Sequence, residues 1–82
     1  MTVKNIEDTL IREVATILSK DPSAVTADIP LHELGLDSLG FVELLVTIER
    51  VFSMNLMESG LSKSDFQMIR SLASYISKLN GK

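Results

Sequence analysis

The sequence predicts an all-α domain built from three longer helices and one short one. Three observations carry this expectation. Apolar residues recur at helical spacing in three separate stretches, no stretch alternates apolar and polar residues long enough for a strand, and proline or glycine stands at the breaks. With 82 residues, the chain is expected to form a single domain over 1–82 with little room for an enclosed substrate cavity. That alone favours a binding or carrier role over an enzyme.

The first helix is expected from about Val3 to Ser19, with Ile6, Leu10, Val14, Ile17 and Leu18 as its buried stripe. Asp21-Pro22 stops it, because proline pushes the residue before it out of the helical region. From Pro22 to Asp37 no period persists. Val25, Ile29, Leu31, Leu34 and Leu36 are spread through this stretch as apolar anchors of a long loop. A loop of that length in so small a domain is more often functional than not.

The second helix is expected from Ser38 to about Phe52 and carries two apolar stripes. At about 100° per residue, Phe41, Leu44, Leu45, Ile48, Val51 and Phe52 share a wide stripe, while Leu39, Val42 and Val46 form a narrow one. Glu43, Glu49 and Arg50 flank the narrow stripe. One stripe is enough to hold a helix to a core, so the narrow one either packs under a loop or meets a partner. Ser53 to Ser64 reads as a second loop, and a short turn is expected around Asp65–Met68. Ile69, Leu72, Ala73, Ile76 and Leu79 give the last helix its stripe, and Asn80-Gly81 ends it.

Composition narrows the function classes. The chain has no cysteine, which excludes disulfides and thiolate metal sites, and its acidic residues show no calcium-loop pattern, so no metal is expected. A net charge of −3 argues against nucleic acid and suits partners with basic docking patches. No apolar run approaches the length of a membrane span, and the opening MTVKNIEDTL lacks the basic start and apolar core of a signal peptide. A cytoplasmic monomer is the expectation.

Ser38 follows Asp37 and precedes the periodic stretch, a position suited to an N-cap. A helix N-terminus also favours an attached phosphate. The run Leu34-Gly35-Leu36-Asp37-Ser38-Leu39, continued by Val42-Glu43-Leu44, resembles the attachment motif of acyl carrier proteins, and the order of helices and loops resembles theirs along nearly the whole chain. The resemblance implies a four-helix carrier bundle and no catalysis by the chain itself. It implies that a phosphopantetheinyl transferase moves a phosphopantetheine arm from coenzyme A to Ser38, with Asp37 helping that enzyme recognise its target. The arm then holds acyl cargo as a thioester while acyl-loading and acyl-processing enzymes act on it. It further implies that Leu39, Val42, Glu43, Val46 and Glu49 contact those partners, which favours the partner reading of the narrow stripe.

The pathway implied is fatty-acid, polyketide or related lipid and secondary-metabolite biosynthesis. Arg50 and Val51 replace the acidic end usual in fatty-acid carriers, and Gly40 and Phe41 replace polar residues after the motif. The D-alanyl and peptidyl carriers share the fold and the serine and stand as alternatives. An unmodified helical interaction module is a remoter one. A hydrolase using Ser38 with His32 and Asp28 or Asp37 lacks a nucleophile elbow and a pocket.

Overall fold

A computed structural model of the chain describes residues 2–56, 60 and 63–80. Among them are three α-helices, α1 (Val3–Leu18), α2 (Ser38–Phe52) and α3 (Ile69–Asn80), and no strand. The expected short helix is a single 3-10 turn, Lys63–Phe66, lying earlier than the Asp65–Met68 read from the sequence. Two further 3-10 turns, Pro22–Ala24 and Leu31–Leu34, interrupt the stretch expected to be an irregular loop. Met57 and part of the second loop, together with Gly81, lie outside the described residues.

Helices of 16, 15 and 12 residues are marginal on their own in water, so burial of their apolar faces holds them. Ile6, Leu10 and Val14 from α1, Leu44 and Ile48 from α2, and Ile69, Leu72 and Ile76 from α3 are all fully buried. Each such side chain contributes roughly 1.5–3 kcal/mol. α1 packs against both α2 and α3. Thr2 starts α1 by accepting the Asn5 N–H on its hydroxyl, and Ser19 ends it in the left-handed region at φ 57°. Ser53 ends α2 in the same way at φ 54°.

The long loop is fastened to the core rather than draped over it. Val25, Ala27, Leu31, Leu34 and Leu36 are buried, whereas Ile29, read as an anchor, is 38% exposed. The main chain fixes the loop to the approach to α3: the Leu31 N–H donates to the Gln67 carbonyl, and the Arg70 N–H donates to the Ala27 carbonyl. The Arg70 guanidinium also pairs with Asp28 in the loop and Glu7 on α1.

One part of the wide α2 stripe departs from expectation. Leu44, Ile48 and Phe52 are buried and Phe41 and Leu45 partly so, but Val51 is 48% exposed. Leu44 lies close to the same direction around the helix and is covered. Two turns later Val51 is only half covered, although Phe52 beside it is buried. Gly40, which lies outside both stripes, is buried as well.

Candidate functional site

The segment before α2 is set by backbone geometry. Gly35 closes the Leu31–Leu34 turn with φ 107°, a conformation that strains any side chain, and its N–H donates to the His32 carbonyl. The Leu36 N–H returns to the Leu31 carbonyl. From the end of α1, Lys20 Nζ donates to the Leu34 carbonyl at 3.0 Å. With Leu34 and Leu36 buried on either side of Gly35, the chain reaches Asp37 in one defined direction.

Asp37, not Ser38, caps α2. Its backbone is extended (φ −95°, ψ −174°), and its Oδ1 accepts the Gly40 N–H at 2.8 Å. Its carbonyl accepts the Phe41 N–H. The carboxylate carries a full charge toward the positive end of the helix and so takes the capping role the sequence offered to serine. Ser38 becomes the first residue inside the helix. It is exposed, and its hydroxyl makes no hydrogen bond among the described residues.

This corrected arrangement suits a phosphodiester. The Asp37 cap uses one of the free donors at the head of α2, leaving the Ser38 and Leu39 N–H groups without a partner among the described residues. An anion on Ser38 would lie beside those two donors and the helix dipole, though close to the like charge of Asp37. Among the described residues, Ser38 is exposed and open to an incoming enzyme.

The outer face of α2 is open. Leu39 is 68% exposed, Val42 50% and Val46 47%, so the narrow stripe does not pack under a loop. Buried Leu36, on the other side of Asp37 and Ser38, anchors the loop–helix junction. Glu43 and Arg50 are exposed, while Glu49 is half-buried and already engaged within the fold.

Two concavities flank this face. One, of about 660 Å³, is lined by His32, Phe41, Ser64, Phe66 and Gln67. Phe41 and Phe66 meet there edge to face, with ring centroids 5.4 Å apart and an interplanar angle of 67°. The sequence places Phe41 on the wide stripe of α2, but nothing in it points to Phe66 as the partner ring. The other, of about 380 Å³, is a furrow between α1 and α2. His32 makes no hydrogen bond with Ser38, Asp28 or Asp37: Asp28 pairs with Arg70, and Asp37 Oδ1 holds Gly40. Among the described residues, no three His, Cys, Asp or Glu side chains gather to hold a metal ion. No helix among them is long and apolar enough to cross a membrane.

Residues 8–76 match the family described as "Phosphopantetheine attachment site". The chain is 38% identical over 66 residues to a protein named "Acyl carrier protein" from Onion yellows phytoplasma (strain OY-M), covering 79% of this chain and 84% of that protein. A second, from Aster yellows witches'-broom phytoplasma (strain AYWB), carries the same name and is similar to the same extent, 38% over 66 residues. No solved structure matches the chain significantly.

Proposed function

The chain belongs to the acyl carrier protein family, whose cofactor is phosphopantetheine, and we propose on that premise that Ser38 is its attachment residue. Carriers hold cargo rather than transform it, and the division of labour follows from that. The chain supplies an attachment point and a docking face, and the cofactor supplies the thiol that forms the thioester. In the loading step, Ser38 Oγ bonds to the coenzyme A phosphorus that bears pantetheine. The pyrophosphate bond breaks, adenosine bisphosphate leaves, and the transferase takes up the hydroxyl proton.

The observation that carries this reading is the exposed Ser38 hydroxyl, without a hydrogen bond, on the first turn of α2. Asp37 supplies the cap, so modification of Ser38 costs the helix nothing it depends on. Asp37 then has two duties, holding the helix start and marking the serine for the transferase. Leu39, Val42, Glu43, Val46 and Glu49 form the partner face, with apolar side chains giving contact and carboxylates steering. The groove lined by Phe41 and Phe66 opens one helical turn from Ser38, where an apolar acyl group on the arm would lie.

Arg50 and the exposed Val51 give the end of α2 a different character from a uniformly acidic docking helix. This supports a carrier dedicated to polyketide, secondary-metabolite or lipid-tailoring chemistry, acting as a cytoplasmic monomer. The test is intact-protein mass before and after incubation with coenzyme A, magnesium and a broad-specificity phosphopantetheinyl transferase. One added phosphopantetheine, absent in Ser38→Ala, is the expected outcome. Loading that persists in Ser38→Ala would sink the assignment.

A further inference from the structure

The furrow between α1 and α2 has two unlike banks. α1 contributes Glu13, Thr16 and Ile17, and α2 contributes Val42, Glu43, Val46, Thr47 and Arg50. Two of the three residues of the exposed narrow stripe, Val42 and Val46, therefore form one wall of a concavity whose other wall is α1. Ile17 is packed against the core, so the furrow floor is apolar and fixed. Glu13 and Glu43 stand at its rim with no ion pair among the described residues, unlike Glu7 and Asp28, which pair with Arg70, and Asp8, which pairs with Lys4. Two carboxylates without an ion pair among the described residues, against the single Arg50 on the same rim, leave a net negative apolar slot complementary to an aliphatic side chain flanked by a basic one.

We infer that α1 supplies part of the docking face, and that the furrow receives a segment of the phosphopantetheine-loading transferase bearing an aliphatic side chain beside lysine or arginine. The inference rests on the reading of Ser38 as the attachment residue. The transferase is the occupant because it alone must work directly at the Ser38 hydroxyl, whereas enzymes acting on the cargo meet the far end of the arm. Val42 is one helical turn beyond Ser38, so an enzyme centred on that hydroxyl with a footprint of about 800 Å² extends over the furrow. Its aliphatic side chain enters between Ile17 and the two valines, and its cation meets Glu13 and Glu43. Arg50, on the same rim, repels a second cation and limits how basic the docking segment can be.

The experiment measures the steady-state kinetics of loading on the full chain, using a broad-specificity transferase, coenzyme A and magnesium, with product followed by intact mass. Glu13→Lys and Thr16→Trp change the α1 bank without touching α2. Asp8→Lys places the same charge change elsewhere on α1. Glu13→Lys and Thr16→Trp are expected to raise KM roughly fivefold or more with kcat nearly unchanged, while Asp8→Lys leaves KM within about twofold. Circular dichroism confirms that each variant is helical. Loading of wild type with an unchanged KM in both furrow variants overturns the inference while leaving Ser38 as the attachment site. So does an equal rise in Glu13→Lys and Asp8→Lys, which would reflect net charge. Failure to load wild type, or loading that survives Ser38→Ala, overturns the attachment reading on which the inference rests.

Discussion

Asp37 Oδ1 accepts the Gly40 N–H at 2.8 Å, at a residue whose missing side chain lets the buried Leu36 pack directly against the first turn of α2. A Cβ on residue 40 would stand 2.8 Å from Leu36 Cδ1 and 3.3 Å from Asp37 Oδ1. The packing of the buried loop anchor on the first turn of α2 thus depends on one small residue.

Gly40→Ala is therefore expected to destabilise the domain despite the better helix propensity of alanine. The propensity gain is about 1 kcal/mol, and overpacking against a buried leucine costs about 1–3 kcal/mol. Urea unfolding should show a net loss of about 1 kcal/mol. A net gain would mean that Leu36 moves aside freely.

Asp37→Ala and Asp37→Asn separate the two duties proposed for this aspartate. Loss of the cap in the alanine variant is expected to cost about 1 kcal/mol, while asparagine still accepts the Gly40 N–H and stays within a few tenths. If loading depends on the charge, both variants load slowly. Thermal melts and loading rates on the same samples read the two effects apart.

Ser38→Ala should leave stability within about 0.5 kcal/mol of wild type, because the hydroxyl is exposed and makes no hydrogen bond. Had Ser38 been the cap, a loss near 1 kcal/mol would be expected. Denaturant midpoints decide between them.

Leu44 and Val46 are two positions apart on α2 and should behave oppositely. Leu44 is fully buried, and Leu44→Ala is expected to cost about 2–5 kcal/mol. Val46 is 47% exposed, and Val46→Asp should barely shift the melting temperature while slowing partner enzymes. A large fall for Val46→Asp would show that its wall of the furrow belongs to the core.

Asp21 accepts both the backbone N–H and the hydroxyl of Ser23, first the former in effect, and these hold its carboxyl below the usual aspartate value. A depressed folded-state value contributes stability above the unfolded-state pKa, and that contribution is lost as pH falls through the lower folded value. An NMR titration should find Asp21 ionising at unusually low pH, and Ser23→Ala should raise it. No rise would mean that the Ser23 N–H alone sets the shift.

Helix positions were largely legible because each of the three stripes is a local pattern. α2 runs from Ser38 to Phe52 as the spacing predicts, and α1 ends one residue before the expected Ser19. The misreadings concern neighbours that a periodic pattern does not encode. Val51 has the angle of a core residue, yet it is half exposed while its neighbour Phe52 is buried. Ile29 has the composition of an anchor, yet small Ala27 fills that role. The cap was misassigned because serine and aspartate are both good N-caps, and only the backbone shows which one is extended. The run Leu34 to Leu39 that resembles an attachment motif stands in the sequence as a string, whereas the aromatic groove does not, since Phe41 and Phe66 meet only after a loop closes.

The main-chain bonds from Leu31 to Gln67 and from Arg70 to Ala27 join segments far apart in the sequence. For a helical domain, that makes assembly less local than helix count suggests, because a long closure must occur before these bonds form. Part of the path toward Asp37 and Ser38 is therefore tied down only once the start of α3 is in place, while Gly35, Lys20 and the Asp37 cap set the rest locally. Without α3, the Leu-Gly-Leu-Asp-Ser-Leu string would keep its local turn and cap but lose these two long-range ties.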